Sequence, residues 1–175
     1  MIEAFVALGS NLGDRLANLG AAVDLIAREP GFSLRRVSLA YQTEPVGPPQ
    51  PRYLNAVAQV GSLLTARATL QRLHWIEDQL GRVRREKWGA REIDLDLLLY
   101  GDKVVEDPSV PHPRMHERAF VLVPLSEIAP QAMHPVLEAT ASELLGRLPL
   151  LERAQVRPWR LIRRPLPELE EEPPP

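Results

Sequence analysis

Asp94 and Asp96 stand one residue apart in an otherwise apolar run from Ile93 to Tyr100. In an extended strand this spacing puts both carboxylates on one face, with α-carbons ~6.5–7 Å apart, while Ile93, Leu95, Leu97 and Leu99 point to the other. Aspartate is a poor strand former, and two so close repel each other. A divalent cation resolves the conflict, because Mg²⁺ takes hard oxygen ligands and binds through one or two carboxylates completed by substrate phosphates. The plain alternative is an exposed polar face at a strand end.

Just upstream, residues 82–91 carry five basic side chains, among them Arg82, Arg84, Lys87 and Arg91, against the single acid Glu86. The stretch also holds Trp88, shows no clean periodicity, and reads as a mobile basic loop. Guanidinium groups make paired, planar hydrogen bonds to phosphate oxygens and stay charged. Beside two metal-binding carboxylates, such a loop describes a polyphosphate site, where cations neutralise the phosphates and arginines stabilise the group in transit. The alternative is a solvated charge run. A P-loop is excluded, since the two lysines, Lys87 and Lys103, do not follow a glycine in the required pattern. The glycines between Gly9 and Asp14 read as a structural turn and helix cap.

A second group surrounds a proline-rich loop. Tyr53 and Asn55 share a strand face, Thr43 ends the preceding strand, and Phe120 can approach from a later helical segment. Aromatic faces and an amide edge suit a flat heteroaromatic ligand, although core packing gives the same pattern. His112, held between Pro111 and Pro113, suits a phosphate or metal-water contact, whereas His74 and His134 read as incidental.

These residues need a scaffold. Ala4–Leu8 reads as a buried strand, and Asp14–Glu29 as an amphipathic helix through Leu16, Leu19, Val23 and Ile26, closed by Pro30-Gly31. Val37–Thr43 alternates as a strand with Val37, Leu39 and Tyr41 on one face, and Tyr53–Val60 is a second strand beyond four prolines. Thr65–Leu80 is a second helix and Ile93–Tyr100 a further strand. The order β-α-β-β-α-β predicts a ferredoxin-like α+β fold: an antiparallel four-stranded sheet with two helices on one face. Helical pattern returns around Met115–Glu127 and Ala139–Leu148, extending the unit.

With 175 residues, 45% of them hydrophobic, the chain can bury a core, and residues 1–164 are expected to form one domain. The absence of cysteine excludes disulfides, zinc-thiolate and Fe–S sites and a thiol nucleophile. No apolar run approaches the ~20 residues of a membrane helix and no basic signal start is present, so a cytoplasmic protein without membrane partners is expected. The net charge of −2 hides an asymmetry: residues 165–175 hold four Glu and five Pro and are expected to be a disordered tail, while residues 82–91 are net +4.

Taken together these segments resemble the 6-hydroxymethyl-7,8-dihydropterin pyrophosphokinase family of folate biosynthesis. The resemblance rests on Ala7-Leu-Gly-Ser-Asn-Leu-Gly-Asp14, Thr43-Glu-Pro-Val-Gly-Pro48 with Tyr53-Leu-Asn55, Gly81-Arg-Val-Arg84, Trp88-Gly-Ala-Arg-Glu-Ile-Asp-Leu-Asp96, Val110-Pro-His112 and Arg118-Ala-Phe120 leading to Pro124-Leu125. It implies transfer of the β,γ-pyrophosphoryl unit of ATP, the co-substrate, to the pterin hydroxymethyl oxygen, with release of AMP. It implies that Asp94 and Asp96 hold two Mg²⁺ ions, that Thr43, Val46 and Asn55 read the pterin edge, and that Tyr53 and Phe120 sandwich the ring. It further implies that Arg82, Arg84, Lys87, Trp88 and Arg91 close over ATP, with Arg82 and Arg91 catalytic alongside the aspartates. It implies as well that Glu77, Leu97, Ser109, His112 and Arg118 complete the nucleotide site, and a monomer acting on these small molecules is expected.

Three departures stand out. Lys87 replaces a common second loop arginine, Pro113 stands where some members carry tyrosine, and the loop between Arg84 and Trp88 is one residue shorter than in some relatives. No match extends beyond about Gly146. The competing readings are a ferredoxin-like nucleic-acid-binding module using the basic loop, which lacks the aromatic RNA-recognition pattern, and a non-catalytic pterin or nucleotide sensor.

Overall fold

The strand β1 (Ile2–Ser10) is buried along most of its length, as its apolar run requires. The computed structural model describes residues 1–45, 47–81 and 92–164. After β1 come α1 (Arg15–Arg28), β2 (Phe32–Val37), β3 (Ala40–Thr43), β4 (Tyr53–Ser62), α2 (Ala66–Gln79) and β5 (Asp94–Tyr100). Then follow a 3-10 turn (Met115–Glu117), α3 (Ala119–Ile128), β6 (Met133–His134), β7 (Ala139–Thr140), α4 (Ala141–Gly146), α5 (Leu150–Ala154) and β8 (Arg157–Arg160). The helix starts obey local chemistry: Asp14 Oδ1 accepts from the Ala17 amide at 3.1 Å and Thr65 Oγ1 from the Ala68 amide at 3.2 Å, each satisfying an orphan donor of the first turn.

The main sheet has the order β5-β1-β4-β3-β8, with β2 also paired to β4, and the pairings are antiparallel. This is the ferredoxin-like arrangement expected from the element order, with additions. On one face Leu19, Val23 and Ile26 of α1 and Leu73 and Ile76 of α2 meet Val6, Leu8, Leu95 and Leu97. On the other, Leu122, Leu125 and Ile128 of α3 and Leu144 of α4 meet Phe5, Val57, Leu98 and Leu99. The sheet is therefore covered on both faces, not on one.

Three expectations are corrected. The strand expected over Val37–Thr43 starts at Phe32 and breaks into β2 and β3 at Ser38-Leu39. Ser38 is buried there: its hydroxyl accepts from the Val57 amide at 2.9 Å and donates to the Leu39 carbonyl at 2.7 Å, replacing ladder bonds where the strand bends. Leu99 does not share a face with Leu95 and Leu97. A bulge pairs Phe5 with Leu99 but Val6 with Leu97, leaving Leu98 as the extra residue, so Leu98 and Leu99 both reach the α3 side. Finally, the helix expected over Ala139–Leu148 begins as the short β7 and is helical only from Ala141.

The C-terminal segment returns across α1. Ile162 packs on the helix-side core, and Arg164 donates to Asp24 Oδ1 from Nη2 at 3.0 Å and from Nε at 3.2 Å. Gly20 lets it lie close, because a Cβ there would meet the Arg163 carbonyl oxygen at 2.4 Å. The tail expected at 165–175 lies outside the described residues. Among the described residues no helix is long and apolar enough to cross a membrane.

Candidate active site

The strand register gathers the chemistry on one face. Asp94 lies opposite Gly9, which lies opposite Asn55; in the adjacent row Asp96 lies opposite Ala7, and Thr43 is paired with Tyr53. Directly paired residues share a face, and so do residues two apart, so all of these point toward α3. Asp94, Gly9, Asn55, Tyr53 and Thr43 floor a cavity of about 280 Å³, with Asp96, Ala7 and Leu98 beside them. Its wall comes from His112 and from Arg118, Phe120 and Val121 at the start of α3, and Glu44 stands at the Thr43 end.

Each side chain is held. The Asn55 amide donates from Nδ2 to Thr43 Oγ1 at 2.7 Å, which fixes the amide plane and leaves a polar edge in the floor. Gly9 makes room for it: a Cβ at that position would stand 3.0 Å from Asn55 Oδ1 and 3.6 Å from the Tyr53 ring. Glu44 is paired with Arg52 at 2.9 Å. The His112 amide donates to the carbonyl of Leu98 at 2.8 Å, tethering the loop to the strand that carries both aspartates. Its Nδ1 accepts from the Arg114 amide at 3.2 Å, so the neutral ring carries its proton on Nε2 and remains a donor. Arg118 lies over the Phe120 ring, 5.5 Å from its centroid.

The electrostatics oppose a negative floor to a positive wall. Burial lowers the His112 pKa below its ordinary value, and the charges of Arg118 and Arg114 lower it further while Asp94 pulls the other way; the ring is neutral at pH 7. Arg118 is likewise lowered by burial first and then by Arg114, against the opposing pull of Asp96 and Asp94. It remains a cation, because guanidinium does not deprotonate in proteins. Among the described residues no cluster of three or more His, Asp or Glu side chains could hold a metal unaided. A pair of half-buried carboxylates on one face is instead the donor set that Mg²⁺ uses when phosphates supply the remaining ligands.

Thr43, Tyr53, Asn55, Asp94, Asp96, His112, Arg118 and Phe120, all singled out in the sequence, meet at this cavity. Three others do not line it. Leu97 alternates away from Asp96 into the helix-side core, Glu77 is buried at 1% exposure on α2, and Ser109 is exposed beside the bridge between Val105 and Val110. Val46, Arg82, Arg84, Lys87, Trp88 and Arg91 lie outside the described residues. Gly9, expected to be only part of a turn, belongs to β1 and to the floor. Its signal was available, since a glycine inside an apolar strand marks a close approach.

Comparison with known proteins gives the family. A family model described as 7,8-dihydro-6-hydroxymethylpterin-pyrophosphokinase (HPPK) matches residues 5–130. A 2-amino-4-hydroxy-6-hydroxymethyldihydropteridine pyrophosphokinase of Synechocystis sp. is 43% identical over 147 residues, covering 83% of this chain and 75% of the relative. The protein of the same name from Haemophilus influenzae is 43% identical over 138 residues, covering 77% of this chain and 86% of the relative. Among solved structures, Plasmodium falciparum HPPK-DHPS matches with a TM-score of 0.68 at 15% identity, a likeness of fold. This chain spans 43% of that longer one. The chain belongs to the 7,8-dihydro-6-hydroxymethylpterin-pyrophosphokinase family.

Proposed function

We propose that the protein transfers pyrophosphate from ATP to 6-hydroxymethyl-7,8-dihydropterin, giving AMP and the pterin diphosphate, the reaction named for its relatives. The observation that carries this reading is the shared cavity: a carboxylate pair and an amide-and-aromatic pocket open onto the same 280 Å³ space. In the reaction the hydroxymethyl oxygen bonds to the β-phosphorus, the bond from that phosphorus to the α,β-bridging oxygen breaks, AMP departs with the bridging oxygen, and the hydroxyl proton passes to solvent.

Asp94 and Asp96 would hold Mg²⁺, two ions in this reading, and the metal when bound supplies charge neutralisation on the triphosphate. The chain's own residues do the rest. Asn55, steadied by Thr43, offers its amide edge to the pterin ring, and Tyr53 and Phe120 take the ring faces. Arg118 faces the aspartates' side of the cavity as a cation for phosphate oxygens, and the His112 Nε2–H adds a neutral donor. Phosphoryl transfer needs little covalent help, so placement of attacker and phosphorus together with fixed charges accounts for the rate. The basic residues Arg82, Arg84, Lys87 and Arg91 supply further charge for ATP in this reading, with Arg82 and Arg91 serving catalysis.

The nucleic-acid alternative would need the sheet face presented openly, whereas here that face carries two aspartates and is covered in part by α3. Incubation with ATP, Mg²⁺ and the hydroxymethyl dihydropterin tests the assignment. AMP and pterin diphosphate are expected in equal amounts; ADP as the nucleotide product, or no turnover, overturns it.

A further inference from the structure

The turn after β1 is tied to both halves of the cavity. Asn11, a polar side chain with only 1% exposure, donates from Nδ2 to Gln50 Oε1 at 2.8 Å and to the Pro51 carbonyl at 3.0 Å. Gln50 in turn donates to the Pro48 carbonyl at 3.2 Å, and Arg15 donates to the Arg52 carbonyl at 2.8 Å. Asn11 thus grips the end of the proline-rich loop just before Tyr53 and Asn55 on β4. One turn into α1, Asn18 uses the same kind of amide in another direction. Its Nδ2 donates to the Leu12 carbonyl at 2.9 Å, to Ser10 Oγ at 3.3 Å and to the Glu92 carbonyl at 3.1 Å, two residues before Asp94.

Gln50, Pro51 and Glu92 are 39, 40 and 74 residues away in sequence from the asparagines that hold them. No local propensity explains such contacts. Proline removes amide donors from the loop, so its carbonyls have few partners within the loop, and a buried amide is what can meet them. A buried amide deprived of one partner leaves the other unsatisfied, which gives such contacts leverage over the geometry of whatever they hold.

We propose that Asn11 and Asn18 are positioning residues with separate duties: Asn11 sets the pterin side through the loop end that leads into Tyr53 and Asn55, and Asn18 sets the metal-nucleotide side through the backbone leading to Asp94. The division rests on the pyrophosphokinase reading for the identity of the two ligands, but it is read from binding and not from turnover. Neither residue touches a substrate in this scheme. Each acts through the segment it holds, so one short turn sets the distance between the two substrate halves.

The test measures dissociation constants of the wild-type protein and the variants Asn11→Leu, Gln50→Ala and Asn18→Ala for 6-hydroxymethylpterin, by its fluorescence, and for α,β-methylene-ATP with Mg²⁺, by calorimetry. Asn11→Leu should weaken pterin binding about tenfold and leave the nucleotide within about twofold. Gln50→Ala, whose partially exposed side chain can be truncated without unfolding the chain, should reproduce the pterin effect at smaller size. Asn18→Ala should do the reverse, weakening the nucleotide several-fold and sparing the pterin. Equal weakening of both ligands in the Asn11 and Asn18 variants, or no change in Gln50→Ala and Asn18→Ala, overturns the proposal. AMP formation by the wild-type protein is scored separately, and its failure removes the reaction assignment without altering the binding split.

Discussion

The Tyr41 hydroxyl donates to Glu127 Oε1 at 2.5 Å, a bond that joins β3 of the cavity floor to α3 of its wall. The same carboxylate accepts from the Leu39 amide at 3.1 and 3.2 Å, where the strand resumes after its break. This acid thereby ties the strand that carries the floor residue Thr43 to the helix that carries the wall residue Phe120. Burial, the hydrogen bond to Glu127 and its negative charge all push the Tyr41 pKa well above the ordinary tyrosine value.

Tyr41→Phe should lower stability by about 1.5–3 kcal/mol in urea denaturation, the usual worth of a hydrogen bond to a charged group. The linkage has a definite sign. The unfolded tyrosine ionises near pH 10 while the folded one does not, so this contribution is fully present below pH 10 and is lost as pH rises above it. The stability gap between wild type and variant should therefore shrink in alkali. A gap that stays constant or widens above pH 10 contradicts the assignment.

Asp96→Ala should reduce turnover by at least about a hundredfold at saturating Mg²⁺, because the site loses one of two carboxylates available to the cation. Steady-state release of AMP measures it. Asp94→Ala should act similarly, while a variant retaining most of the wild-type rate would show that its carboxylate does not serve the metal.

Gly9→Ala sets two effects against each other. Alanine suits a strand at least as well as glycine, so thermal stability should hold or rise slightly. The new methyl group stands 3.0 Å from Asn55 Oδ1, so the amide must shift and pterin affinity should fall about tenfold, or ~1.4 kcal/mol. Pterin fluorescence titration beside a melting curve decides whether the two readouts separate.

Gly20→Ala poses a similar contest in α1. Helix propensity favours alanine by about 1 kcal/mol, but the Cβ would stand 2.4 Å from the Arg163 carbonyl, a backbone atom that cannot swing aside. The expected outcome is a lifted C-terminal segment, seen as faster tryptic cleavage after Arg160 and Arg163 with a smaller effect on the melting of the rest. Unchanged cleavage kinetics would show that the segment is held some other way.

Much of this was legible in the chain. The alternation around Asp94 and Asp96 by itself puts two charges on one face, and the spacing of Tyr53 and Asn55 does the same for the amide pocket. Periodicity works there because those strands are regular. It fails where a side chain replaces the ladder, as Ser38 does between β2 and β3, and where an extra residue shifts the register, as Leu98 does in β5. The roles of Asn11 and Asn18 were equally hidden, since their partners lie in distant segments and such contacts leave no periodic trace. The helical pattern around Met115–Glu127 and Ala139–Leu148 was legible, but its packing against the second sheet face was not, because the apolar residues of α3 do not announce which surface they cover; β8 was missed altogether.

The bulge in β5 has a consequence for how the chain tolerates change. Leu98 has no partner on β1, yet its carbonyl receives the His112 amide. Deleting Leu98 would leave Asp94 and Asp96 opposite their present neighbours and restore an unbroken ladder, so the sheet itself should survive the loss. The His112 loop would be cast adrift by one residue. The strand thus carries an apparent irregularity that is a mooring, and a shorter, tidier version of the protein would keep its paired carboxylates while losing the fixed imidazole beside them.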